Sequence, residues 1–320
     1  MSEGFLTEFS SMMNGEMSDT EICRCLAKWE DEGIGPDKLR TAAALMRDMM
    51  IAVSAPEGAI DIVGTGGDGL HTYNISTAVC FVVAGAGVPV AKHGNRAVSS
   101  RSGASDVLTE LGVKLDIPPA QTETCIEEAG VGFLFAPNHH KAMKHVAAAR
   151  ALFGRPSIFN RLGPLLNPAS VRHYLMGVYS RDLCGLYADV LSGLGAKHAL
   201  VVNGADGMDE ITTTGPTRIT ELKDGTLSAY TINPEDYGLK QARPEDLQGG
   251  DPSENARALL DVLDGAHNAY AEIVSLNAAA ALYAADKVES IRDGLELARH
   301  SLESGKARQA LNTLVEVSNA

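Results

Sequence analysis

The chain has 320 residues, 45% hydrophobic and 21% charged, a balance that suits a soluble globular protein with one large or two modest domains. Its formal net charge of −14 speaks against general nucleic-acid binding, and no cationic stretch followed by an apolar run suggests a secretory signal. Five cysteines without CxxC spacing suit free thiols in a reducing, cytoplasmic setting, and the apolar run 75–91 is too short for a membrane helix.

Residues 1–52 predict helices. Asp19-Thr20-Glu21-Ile22 resembles a helix start, and Ile22, Leu26 and Trp29 recur at helical spacing. A break at Gly33–Pro36 precedes a second helix running from Asp37 toward Met50. From Ala59 the texture changes. Short apolar runs at 59–63, 88–91, 132–135 and 199–202 alternate with helical patterns, which predicts βα units on a largely parallel sheet. The Thr-rich stretch 211–232 reads as strand-turn-strand about Lys223-Asp224-Gly225. From Pro252 onward the pattern is helical, with Gly265, Gly294 and Gly305 as punctuation.

Charge is unevenly spread. Segments 69–105 and 129–181 contain none of the 41 acids yet carry ten of the 27 Lys and Arg. Such acid-free segments either gather an anionic small molecule or are simply buried, and the retained cations favour the first reading.

Asp61-Ile62-Val63 leads into Gly64-Thr65-Gly66-Gly67-Asp68-Gly69, and a helix pattern opens near Asn74. Four glycines in six residues let backbone amides approach a ligand closely, and the helix start adds free N–H groups, so a phosphate or pyrophosphate cradle is expected. Gly64, Gly66 and Gly69 also satisfy GxGxxG. A dinucleotide fold would need an acid some 20 positions on, where this chain has Ala86–Val90, and a Walker A loop would need a following Gly-Lys-Ser/Thr. Both are rejected. After the apolar run 88–91 come Lys92-His93-Gly94-Asn95-Arg96, then Ser99, Ser100 and Arg101, a poor core sequence and a good anion site at a strand end.

GTGGD (Gly64–Asp68), NxST (Asn74–Thr77), KHGNR (Lys92–Arg96), FNxLGPLxNP (Phe159–Pro168) and DGMDE (Asp206–Glu210) follow one another in order. With these motifs the chain resembles the anthranilate phosphoribosyltransferase family, of the nucleoside phosphorylase class II fold. The resemblance implies an α/β protein with two parts. One is a small all-helical domain, 1–55 plus about 155–175. The other is a large α/β domain, 56–154 and 176–320, with a mostly parallel central sheet. It further implies a homodimer formed through the helical domain and a place in tryptophan biosynthesis. The implied reaction moves phosphoribosyl from phosphoribosyl pyrophosphate to the amine of anthranilate, with Mg2+ as cofactor.

Carried over by residue, the resemblance gives Gly64, Gly66, Gly67 and Asp68 as the pyrophosphate loop. Thr72, Asn74, Ser76, Thr77, Lys92 and Ala104 are further implied donor contacts. Gly64, His93, Asn95, Ala136, Pro137, His140, Met143, Arg150 and Gly163 line the implied acceptor path. Asp209, Glu210 and the Ser76 hydroxyl are the implied magnesium ligands, and Lys92, Asp68 and Arg150 the implied catalytic residues. The chemistry agrees. Departing pyrophosphate builds negative charge that a cation, an ammonium and loop amides stabilise. Anthranilate brings its own nucleophile, and its carboxylate suits a guanidinium.

The chain departs from the family pattern in four places. Its first helix is expected to be shorter; Gly103-Ala104-Ser105-Asp106 moves a serine hydroxyl by one position; Lys141 replaces a proline; and Arg155-Pro156-Ser157 replaces an apolar-Arg-Thr run. Another aromatic acid as acceptor, or a non-catalytic nucleic-acid-binding relative, are the alternatives. The latter is expected to be basic and to lack Asp209-Glu210. A pyrimidine nucleoside phosphorylase would place Lys-His before its glycine loop, where Ile62-Val63 stand here.

Overall fold

The computed structural model describes residues 3–95 and 102–320; Arg96, Ser99, Ser100 and Arg101, singled out above, lie outside the described residues. The chain opens with helices α1 (Glu3–Met13), α2 (Asp19–Glu32) and α3 (Pro36–Asp48). The cap of α2 is Ser18, one residue earlier than expected. Its hydroxyl accepts from the Glu21 amide while the Glu21 carboxylate accepts from the Ser18 amide at 2.8 Å, a reciprocal capping box. Ile22, Cys25, Leu26 and Trp29 then form one buried stripe at i, i+3, i+4, i+7.

Strand β1 (Ile60–Gly64) begins the sheet, followed by α4 (Ile75–Gly85), β2 (Val90–Gly94), α5 (Ala104–Glu110), α6 (Pro119–Ala129) and β3 (Val131–Phe135). Next come the short helices α7 (Ala136–His139), α8 (Ala147–Phe153) and α9 (Ile158–Leu162), then β4 (His173–Gly177), α10 (Leu183–Gly193) and β5 (His198–Gly204). The hairpin β6 (Thr217–Lys223) and β7 (Thr226–Ile232) precedes α11 (Pro252–Leu263), α12 (Ala269–Ala284), α13 (Ile291–Glu303) and α14 (Lys306–Asn319). Gly265 and Gly305 do stand between helices. Gly294 does not punctuate: it lies inside α13, where a Cβ would fall 2.4 Å from the Ala279 carbonyl oxygen, so it permits close packing on α12.

The seven strands run in the order β3-β2-β1-β4-β5-β6-β7. The first five are parallel, and β6 and β7 pair antiparallel at one edge. Because β2 and β3 lie to one side of β1 while β4 returns to its other side, the winding reverses between β1 and β4. Ligands bind outside the carboxyl ends of strands at such a reversal. Alternation along the strands feeds two apolar layers. Ile60, Ile62, Val90, Leu175, Leu200 and Val202 face α4 and α11–α14; Ala91, Tyr174, Met176, Ala199 and Val201 face the N-terminal helices and α10. Each fully buried Leu, Ile or Val contributes about 1.5–3 kcal/mol.

The N-terminal helices are joined by residues 141–162 as well as by the segment after them. Phe9 stacks on Phe159 with ring centroids 5.8 Å apart, and the Cys23 thiol donates to the Ala149 carbonyl at 3.4 Å. Among the described residues no helix is long and apolar enough to cross a membrane.

Candidate active site

The glycine loop leaves β1 at the reversal, and backbone conformation explains its composition. Gly66, Gly67 and Gly69 have φ of 62°, 83° and 72°, the left-handed region that favours glycine. Two other glycines make room for the acidic pair. A Cβ at Gly64 would fall 2.3 Å from Asp209 Oδ2, and one at Gly177, the last residue of β4, would fall 1.5 Å from the Asp209 carbonyl oxygen. The acidic loop therefore lies directly across the ends of β1 and β4.

Its conformation is fixed from behind. Asp206 Oδ2 accepts from the hydroxyls of Thr212 (2.7 Å) and Thr214 (2.6 Å). Buried Asn277 of α12 brackets Ile211, accepting from its N–H at 2.9 Å and donating to its carbonyl at 2.8 Å. Asp209 and Glu210 consequently reach the cradle itself. Gly66 N–H donates to Asp209 Oδ2 at 2.7 Å, and Ser76 N–H, in the first turn of α4, donates to Glu210 Oε1 at 3.1 Å. Amides expected to face phosphate thus hold carboxylates here. Burial raises both carboxyls well above their usual range, with Asp68 adding to the effect on Asp209, and Asp209 to that on Glu210.

Lys92 is not in a loop after a strand. Pairing with β3 extends β2 through Gly94, so Lys92 and His93 are buried strand residues facing opposite ways. The Lys92 ammonium donates to the Ile62 carbonyl at 2.6 Å and to the Ser76 hydroxyl at 3.2 Å, beneath the glycine loop. Asn74 caps α4 only by position. Its side chain donates to the Ser102 carbonyl (3.2 Å) and accepts from the Asn255 amide (2.9 Å). The Thr77 hydroxyl is buried without a partner among the described residues, Thr72 bridges to Gln248, and Ala104 opens α5. Ser105 is no substitute for a displaced hydroxyl, because it is buried and donates to the Asn95 carbonyl at 3.1 Å.

On the other face of β2, His93 and His140 touch Nε2 to Nε2 at 3.2 Å, while His93 Nδ1 lies 3.1 Å from the Gly163 carbonyl. A carbonyl only accepts, so His93 carries its proton on Nδ1 and its Nε2 accepts from His140. His140 Nδ1 is buried and, among the described residues, makes no hydrogen bond. Both rings are neutral: burial pushes His140 down to about 4 and His93 well below its usual value, with mutual repulsion adding to the latter. Arg150 of α8 lies 5.4 Å from the Phe159 ring centroid, and among the described residues no carboxylate pairs with it. Ala136 and Pro137 open α7, Met143 is half-buried beyond His140, and Asn95 is exposed just after β2.

The anion-gathering reading of the acid-free segments needs correction. Arg155 and Arg161 pair with Asp31 and Glu30 of α2, Lys141 donates to the Pro137 carbonyl, and Arg172 to the Gly195 carbonyl. Those four tie the structure together and Lys144 and Arg181 are exposed, which leaves Lys92 and Arg150 as the described cations set among the predicted site residues. Asp61, Gly177, Asn255 and Asn277 belong to no motif; the close approach at Gly177 and the hydrogen-bond partners of the three buried side chains expose them.

A switch-point cradle with a carboxylate pair on one side and a cation-bearing pocket on the other defines a group-transfer enzyme acting on an anionic donor. Consistent with this, the family model described as "Glycosyl transferase family, a/b domain" matches residues 56–308. The chain is 51% identical over 312 residues to an anthranilate phosphoribosyltransferase of Rhizobium meliloti, covering 98% of this chain and 92% of that one. It is 50% identical over 310 residues to that of Xanthobacter autotrophicus, covering 97% and 90%. The anthranilate phosphoribosyltransferase of Thermus thermophilus superposes with TM-score 0.94 at 41% identity, over 100% of this chain and 96% of that one. That of Saccharomyces cerevisiae, solved in complex with PRPP and Mg, superposes with TM-score 0.88 at 28% identity, over 98% and 91%. The chain belongs to the anthranilate phosphoribosyltransferase family.

Proposed function

We propose that the chain transfers phosphoribosyl from phosphoribosyl pyrophosphate to the amine of anthranilate through two half-sites separated by β2. The observation that carries this reading is their opposite chemistry across one strand. The donor half has the 64–69 loop, the α4 amides and Lys92; the acceptor half has neutral His93 and His140 and the unpaired guanidinium of Arg150.

Magnesium fits the donor half. Two neighbouring carboxyls, each raised by burial and by acidic neighbours, gain most from a cation, and magnesium usually takes one or two carboxylates together with phosphate oxygens. Asp209, Glu210 and the Ser76 hydroxyl would hold it, and when bound it supplies charge neutralisation for the departing pyrophosphate. The chain's own residues do the rest. Lys92 and the loop amides other than that of Gly66, which holds Asp209, orient the donor's anionic groups, and Asp68 shapes the loop by accepting from the Leu70 amide at 3.2 Å. Arg150 orients the anthranilate carboxylate, and Gly163, His93 and His140 wall the ring so that its amine faces the ribose. Two chains associate through the helical layer, where Leu6 and Leu152 are exposed hydrophobics, and the enzyme works in the cytoplasm in tryptophan biosynthesis.

The test follows anthranilate fluorescence during turnover with phosphoribosyl pyrophosphate, titrating magnesium for wild type beside the double variant Asp209→Asn, Glu210→Gln. Consumption should need both substrates and magnesium, and the variant's rate should fall steeply at low magnesium and recover only in part at excess. Superimposable titrations would return the two acids to a structural role.

A further inference from the structure

Between β1 and β2 the ladder nearly vanishes. The two strands pair in register only at Ile60 and Val90, whereas β1 pairs with β4, and β2 with β3, at five positions each. Where the ladder stops, side chains take over its hydrogen bonds. Asp61 Oδ1 accepts from the His93 backbone N–H at 3.1 Å, and Lys92 Nζ donates to the Ile62 carbonyl at 2.6 Å. Asp61 is fully buried, and among the described residues its Oδ2 has no hydrogen-bond partner. Nothing in the transfer reaction employs it.

A buried carboxylate is a costly way to satisfy one amide. Burial pushes Asp61 up to about 6, opposed by the Asn167 amide, Lys92 and the backbone amides beside it. An uncharged acceptor would serve the His93 amide equally well. What the carboxylate adds is a negative charge beside Lys92 on the neighbouring strand. The same stretch of β2 is gripped by further groups on the face Asp61 occupies, for Asn167 donates to the Ala91 carbonyl at 2.8 Å and the His93 ring to that of Gly163.

We infer that Asp61 is a positioning residue. It holds the frayed end of β2 so that Lys92 turns to the donor half and His93 to the acceptor half, tying the two through one buried side chain. The inference rests on the assignment of those halves under Proposed function.

Four variants test it: Asp61→Ala, Asp61→Asn, Lys92→Ala and His93→Ala. KM for each substrate, kcat and melting temperature are measured beside Leu295→Ala, a cavity in α13 that lowers stability without touching β2. Asp61→Ala strands the His93 amide and removes the charge, so both KM values should rise by about tenfold or more. Asp61→Asn keeps an oxygen for His93 but no charge, so acceptor KM should return near wild type while donor KM stays raised. That split is not what simple loss of stability produces. Wild-type donor KM in Asp61→Asn, wild-type values for both substrates in Asp61→Ala, or losses that merely track melting as in Leu295→Ala would each overturn the proposal. Lys92→Ala and His93→Ala separate the two ways of failing. If both keep wild-type KM values, the site reading falls and this inference with it; if they lose affinity and Asp61→Ala does not, the inference alone falls.

Discussion

The donor and acceptor halves of the site are built from different material. The donor half is mostly backbone: left-handed glycines, the first turn of α4, and two acids admitted by the missing side chains of Gly64 and Gly177. The acceptor half is mostly side chain, with an imidazole from β2, an imidazole from the end of α7, a guanidinium from α8 and a carbonyl from Gly163. A backbone site tolerates few changes because its glycines either hold a space, as Gly64 and Gly177 do, or adopt a left-handed φ, as Gly66, Gly67 and Gly69 do. A side-chain site can be retuned one residue at a time.

The sharpest way to break the comparison is Gly177→Ala. A methyl group there lands 1.5 Å from the Asp209 carbonyl oxygen, so the acidic loop must move away from the strand ends. Misplacement on this scale should lower turnover at least about 100-fold, with circular dichroism showing a folded chain. Turnover within a few-fold of wild type would mean that the acidic loop need not lie against β4.

The acceptor half should register in stability against pH. His140 is held at about 4 when folded, against about 6.5 when unfolded, so the unfolded chain takes up a proton that the folded one refuses. Its contribution is complete above about pH 6.5 and is lost as pH falls toward 4, roughly 3 kcal/mol at most. His93 adds in the same direction. Melting curves at pH 7.5 and 5 should show a larger drop for wild type than for His140→Gln, and equal drops would remove His140 from the account.

The smallest effect belongs to the donor half. Ala104→Ser restores a hydroxyl at the start of α5 and should tighten donor binding by about 0.5–1.5 kcal/mol, read by calorimetry. Since Ser105 is committed to the Asn95 carbonyl, a weaker complex would mean that residue 104 does not face the donor.

The same contrast explains what the sequence disclosed. Gly64–Gly69 is legible because left-handed backbone demands glycine, and Asp206–Glu210 because its acids crowd into a few positions beside a glycine. The βα alternation and the 223–225 turn were legible for the same local reason. The end of β2 was misjudged because Lys92 and His93 look like loop residues until pairing with β3 carries the strand through them. Strand β4 went unread because His173 and Gly177 bracket only three apolar residues. The proton order along Gly163, His93 and His140, and the role of Asp61, depend on contacts 30 to 70 residues apart, which no local pattern records. Arg155 and Arg161 illustrate the converse: their acid-free neighbourhood is visible in the sequence, yet their partners lie in α2.

If the two halves bind their substrates through separate residues on either side of β2, a crossed kinetic experiment will separate them. Lys92→Ala and Arg150→Ala are each assayed for KM of phosphoribosyl pyrophosphate and of anthranilate, with aniline as a second acceptor lacking the carboxylate. Lys92→Ala should raise the donor KM while sparing the acceptor. Arg150→Ala should raise the anthranilate KM by about tenfold or more, spare the donor, and abolish the preference for anthranilate over aniline. An Arg150→Ala enzyme that still discriminates the two acceptors as wild type does, or a Lys92→Ala enzyme with wild-type donor KM, would contradict the account.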